Sequence, residues 1–100
     1  MAVEVGDLLF IELAANPGGA GYSWLLEPQH GTLLELVESQ FIQTSEATGS
    51  GGVQRLTLRA LAVGRARVQL KYCRPWEEEK SVVDRFDVKV DIRLRHPAGR

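Results

Sequence analysis

The chain holds a single cysteine, Cys73, among its 100 residues, so an intramolecular disulfide is excluded and stability must come from a hydrophobic core. Histidine is nearly as scarce. His30 stands in a turn-like PQHG and His96 in the C-terminal RHPAGR; neither forms ligand spacing with Cys73, so no metal site is expected. An excess of one charge is missing too. The 12 Lys and Arg against 13 Asp and Glu leave a net charge of -1, which argues against nucleic acid or anionic membrane as the partner. No apolar run approaches the length of a transmembrane helix. The opening MAVEVGDLLFIEL lacks a basic leader and a small-residue cleavage site, and Glu4, Asp7 and Glu12 interrupt it, so it does not read as a signal peptide. The expected compartment is the cytoplasm if the chain is complete, and the periplasm or exterior if its N-terminus has been trimmed.

Catalytic chemistry is absent in the same way. A nucleophile needs an activating base, and Cys73 lies at a strand end before Arg74-Pro75-Trp76 with neither histidine in a recognisable context. The glycine clusters are followed neither by Lys-Ser/Thr nor by a helix, so they are not phosphate loops. No enzyme and no cofactor are expected; function must come from surface recognition.

What remains is an ordinary globular composition, 44% hydrophobic and 25% charged. One domain is expected over residues 1–100, with residues 96–100 as a frayed tail. A chain of this size buries roughly two-thirds of its unfolded surface, enough for one core.

The patterning is that of strands. Phe86, Val88, Val90, Ile92 and Leu94 alternate with Asp87, Lys89, Asp91 and Arg93, and period two places the sets on opposite faces. Ala66, Val68, Leu70 and Tyr72 alternate with Arg67, Gln69 and Lys71. Leu56, Leu58 and Ala60 alternate with Arg55, Thr57 and Arg59, the polar set facing out. Leu9, Ile11 and Leu13 oppose Leu8, Phe10 and Glu12, which predicts a strand buried on both faces at its beginning. Shorter strands are expected at residues 3–5, 22–26 and 33–40. The last has near-helical spacing in Leu33, Leu36, Val37 and Gln40 but is read as strand from its all-β surroundings. Arg67 and Lys71 are expected to pair across strands with Asp87 and Asp91 on a solvated face. About seven short strands separated by glycine- and proline-rich turns predict an immunoglobulin-like β-sandwich, which groups its loops at its ends. Rigidly held loops are where binding usually resides.

Three loops stand out. The first is Asn16, Pro17, Gly18, Gly19, Ala20, Gly21 and Tyr22, in which proline fixes one angle and glycines permit a narrow tip. Trp24 just beyond it is expected in the core. The second is Gly49, Ser50, Gly51 and Gly52. The third is Arg74, Pro75 and Trp76, leading into Glu77, Glu78 and Glu79, which read as a solvated acidic loop. A tryptophan beside proline at a strand end is expected to be exposed, and Trp and Arg are the residue types that dominate binding energy.

NPGGAGY, GSGG and RPW, in that order, resemble the three-loop signature of the chagasin family of cysteine protease inhibitors, NP-TT-G-Y/F, GxGG and RPW or RPF. The stretches VEVGDLLFIELAANP, YSW and VQLKYCRPW extend the resemblance over most of the chain. It implies an immunoglobulin-like sandwich whose loops form a wedge in the cleft of a papain-like cysteine protease. Asn16 to Tyr22 would lie over the catalytic cysteine, with the GSGG and RPW loops on either side. Inhibition would be reversible, non-covalent and competitive, by a monomer. The departure from the pattern is Gly18-Gly19-Ala20, which replaces the two threonines and adds one residue. The alternative reading is an immunoglobulin-like adhesion or ligand-binding module that keeps the scaffold without inhibiting proteases.

Overall fold

A computed structural model describes residues 1–16, 21–27, 33–43 and 51–95. Among these, β1 (Ala2–Glu4), β2 (Leu8–Ala15), β3 (Ser23–Leu26), β4 (Leu34–Gln43), β5 (Gly52–Ala60), β6 (Gly64–Cys73) and β7 (Asp84–Arg93) are strands, and a 3-10 turn covers Glu78–Ser81. They form two sheets, β1-β7-β6-β3 and β2-β5-β4. Every neighbouring pair is antiparallel except β1 with β7. This is the expected immunoglobulin-like sandwich. Residues 96–100, expected to fray, lie outside the described residues.

Period-two alternation builds the core. Leu9 and Ile11 on β2, Leu56 and Leu58 on β5, Val68 and Leu70 on β6, and Val90 and Ile92 on β7 are all buried and turn toward one another between the sheets. Burial of each such side chain contributes about 1.5–3 kcal/mol. Trp24 joins this cluster from β3, as expected.

Four local expectations are corrected. Leu8 and Phe10 are 46% and 56% exposed rather than buried. β2 is an edge strand of the three-stranded sheet, so these outward side chains have a neighbouring strand on one side only; the Arg55 guanidinium stands 6.0 Å from the Phe10 ring centre. Thr57, expected to face water, is buried. It lies on the central strand β5, between Phe10 of β2 and Glu38 of β4 in register. Arg67 does pair with Asp87, by two guanidinium nitrogens at 2.9 and 2.6 Å. Lys71, by contrast, is only 8% exposed and pairs with Glu79 at 3.2 Å, while Asp91 lies 3.3 Å from Arg65. The acidic run is accordingly engaged: Glu77 and Glu79 are tied to cationic side chains of their own chain.

The strand expected over residues 33–40 carries a bulge that interrupts its alternation. On β4 the register shifts between Leu36 and Glu38. Leu36 faces Leu58, and the next residue opposite a core position of β5 is Ser39, across from Leu56. The residues of β4 opposite Leu58 and Leu56 are therefore three apart instead of two, as a bulge requires.

One buried polar residue ties the sheets together. Gln54 on β5 accepts from the Trp24 backbone N–H at 2.8 Å and donates to the Trp24 carbonyl at 2.9 Å and to Ser39 Oγ at 2.9 Å. Its amide thus serves the edge strand β3 as a neighbouring strand would, from the opposite sheet.

Candidate inhibitory edge

Strand order and direction decide where the loops meet. Ala15 at the end of β2 faces Gly52 at the start of β5, which faces Gln43 at the end of β4. Ser23 at the start of β3 faces Cys73 at the end of β6, and Tyr72 faces Asp84 at the start of β7. The β2–β3, β4–β5 and β6–β7 connections therefore leave from the same end of the sandwich. Pro17, Gly18, Gly19, Ala20, Gly49 and Ser50 lie outside the described residues; Asn16, Gly21, Tyr22, Gly51, Gly52, Arg74, Pro75 and Trp76 lie within them.

The third connection opens as a β-turn. The Glu77 N–H donates to the Arg74 carbonyl at 2.9 Å, with Pro75 at the second position, where its fixed φ favours the turn. Trp76 follows at the apex and is 71% exposed. The base of the loop is held by Ser81, buried, whose Oγ accepts from the Arg74 N–H at 2.9 Å. The Val83 N–H closes the loop on the Tyr72 carbonyl at 3.0 Å.

Trp76 is seated on the end of the first loop. A Cβ placed on Gly21 would stand 2.5 Å from Trp76 Cη2, and Gly21 has φ +80°. Both facts demand glycine: the left-handed backbone disfavours any side chain, and the indole occupies the space one would need. At the other root, Gly51 packs with its α-carbon against the Ala15 carbonyl and Asn16; a Cβ there would lie 3.1 Å from that carbonyl oxygen. A side chain at Gly52 would run into the Ile42 carbonyl oxygen. The last glycine of GSGG thus has a packing role within the chain.

Beneath these roots runs a stack of planar groups. Trp24 is held by its indole N–H on the Ala14 carbonyl at 3.0 Å. The Tyr72 ring lies 5.0 Å from Trp24, and the Tyr22 ring 5.5 Å from Tyr72. The Arg74 guanidinium caps Tyr22 at 5.0 Å from its ring centre, a distance at which cation–π attraction operates. Glu77 binds Arg74 at 2.8 Å. That hydrogen bond, with the neighbouring Tyr22, holds the guanidinium above its ordinary pKa, so the group is a fixed cation. Beside it Glu79 bridges Lys71 and Arg85, and hydrogen bonds from both, Lys71 first, hold its carboxyl below the usual glutamate value. Arg74, expected to contribute to binding, therefore also braces its own loop.

Sequence reading missed Tyr72, Gln54, Glu77 and Ser81 as supporting residues. A signal existed for Gln54, an amide in step with Leu56 and Leu58 on a core-facing face. None existed for Ser81, which is one polar residue in a polar stretch.

Comparison with known proteins agrees with this architecture. Residues 2–90 match the family described as chagasin family peptidase inhibitor I42. Amoebiasin-2 of Entamoeba histolytica is 30% identical over 94 residues, covering 91% of this chain and 75% of that protein. The crystal structure of the cysteine protease inhibitor EhICP2 from Entamoeba histolytica superposes with a TM-score of 0.77 at 28% identity, covering 93% of this chain and 85% of that one. The solution structure of Amebosin shares the fold, with a TM-score of 0.64 at 22% identity over 95% of this chain and 87% of the other. With the loop roots gathered at one end of the sandwich and the match spanning nearly its whole length, the chain belongs to the chagasin family of peptidase inhibitors.

Proposed function

We propose that this chain is a reversible, non-covalent and competitive inhibitor of papain-like cysteine proteases, acting as a monomer that occludes the cleft with its three loops. The observation that carries the reading is Trp76, a large aromatic held in the open at the loop end by a proline turn and a glycine seat. Family membership and the likeness to EhICP2, a cysteine protease inhibitor, support it. Burying the exposed indole supplies apolar area of the kind that dominates interfaces. The Gly18-Gly19-Ala20 tip would approach a cleft floor closely because it carries almost no side chain. It also lacks the family's two threonines, and ordering glycine costs roughly 0.5–1 kcal/mol per residue more than ordering alanine. Nanomolar affinity requires about 12 kcal/mol, so the altered tip lowers potency or shifts preference among proteases without removing the wedge. The chain's one thiol, Cys73, is fully buried, consistent with a non-covalent mode.

The test is titration against papain and several related enzymes with a fluorogenic substrate. A rise in apparent KM at constant kcat is expected. Absence of inhibition at micromolar concentration across the set would refute the proposal.

A further inference from the structure

We infer that Tyr72 is a positioning residue that locks the first and third loops into one preorganised unit. The inference rests on the inhibitory reading above for its consequence, though not for its geometry. Tyr72 sits on β6, in the four-stranded sheet, yet its hydroxyl accepts the Asn16 backbone N–H at 2.9 Å. Asn16 directly follows β2 of the other sheet, so this bond crosses the sandwich at its loop end and pins the entry to the first loop. The Tyr72 carbonyl accepts from Val83 N–H at 3.0 Å and so closes the third loop. The ring is braced from behind by Trp24 at 5.0 Å and touches Tyr22, at the first loop's exit, at 5.5 Å. Arg74 then covers Tyr22. Its side chain thus meets the entry of the first loop by its oxygen and the exit by its ring, while its main-chain carbonyl closes the third loop.

A wedge binds well when its parts are already in place, because ordering loops on association costs free energy. The hydroxyl removes part of that cost in advance. Tyr72→Phe deletes only this oxygen and keeps the ring, so the aromatic stack and the fold survive. Two readings are taken on the purified chain and its variant: the inhibition constant against papain, and amide hydrogen exchange at Asn16 by NMR. The expected result is inhibition weakened about five- to tenfold, mainly through faster dissociation, with Asn16 exchange at least tenfold faster and thermal unfolding nearly unchanged. Unaltered inhibition, or unaltered Asn16 exchange, would overturn the inference. An ester in place of the Ala15–Asn16 amide, introduced by semisynthesis, removes the donor instead of the acceptor and must reproduce the effect. If the parent chain inhibits no protease, the proposed function fails, and the loop coupling is then decided by the Asn16 exchange alone.

Discussion

The two tryptophans stand near the same end of the molecule and do opposite things. Trp24 is 6% exposed, its ring in the core and its backbone held by Gln54. Trp76 is 71% exposed, at the apex of a proline turn, with one edge resting on Gly21. Nothing in the residue type separates them; strand parity places the first inward, and a turn carries the second beyond the last ladder bond. The comparison teaches that this edge is built as a rigid foundation with an aromatic left uncovered above it.

The comparison can be broken most severely at Trp24. Trp24→Ala is expected to cost about 3–5 kcal/mol of unfolding free energy, since it opens a cavity in the core, and denaturant unfolding measures it. Inhibition would then fall with the folded fraction, and further as Tyr72 loses its brace. Gln54→Leu is expected to cost about 2–3 kcal/mol, because the Trp24 N–H and carbonyl lose buried partners; an unchanged denaturation midpoint would show that water replaces the amide. Trp76→Ala inverts the pattern. It is expected to weaken inhibition at least tenfold, about 1.4 kcal/mol, while the denaturation midpoint stays within error. Equal inhibition by the variant would remove this indole from the interface.

The smallest effect concerns acid. Glu79 braces the third loop with a carboxyl whose pKa is lowered by Lys71 and Arg85. A depressed folded pKa contributes stability above the ordinary glutamate value and loses it as pH falls through the lowered value. A slight stability difference between the parent and Glu79→Gln is therefore expected near neutrality and should shrink as pH falls from the ordinary glutamate value of about 4.3 through the lowered folded value. A difference that does not change as the solution is acidified would assign the effect to packing rather than charge.

The fold was largely legible because its signal is short-range. Alternation along β5, β6 and β7 names the core faces directly, and the turn residues between them count the strands. The errors arose where a neighbour decides the outcome. Leu8 and Phe10 look like core until β2 is known to be an edge, and Thr57 looks exposed until β5 is known to be central. Lys71 reads as a solvated cation because nothing in its own strand announces Glu79. At the candidate site, the loop sequences revealed which residues are unusual, while their support did not show: Tyr72 meets Asn16 across 56 positions of sequence, and only the sandwich brings them together.

The parallel pairing of β1 with β7 carries a practical consequence. Ala2 lies opposite Asp91 and Glu4 opposite Arg93, and Arg95 is tied back to Glu4 and Asp7. β7 begins at the loop end with Asp84 and runs about 30 Å to this point, at roughly 3.3 Å per residue. Arg95 thus stands at the pole remote from Trp76, while Met1, whose backbone bonds Lys89 and Asp91, lies alongside β7 short of that pole. A tether, label or fused partner attached at residue 95 would hang from the handle of the wedge and leave its edge clear, so forms immobilised or linked there should retain their capture of a protease.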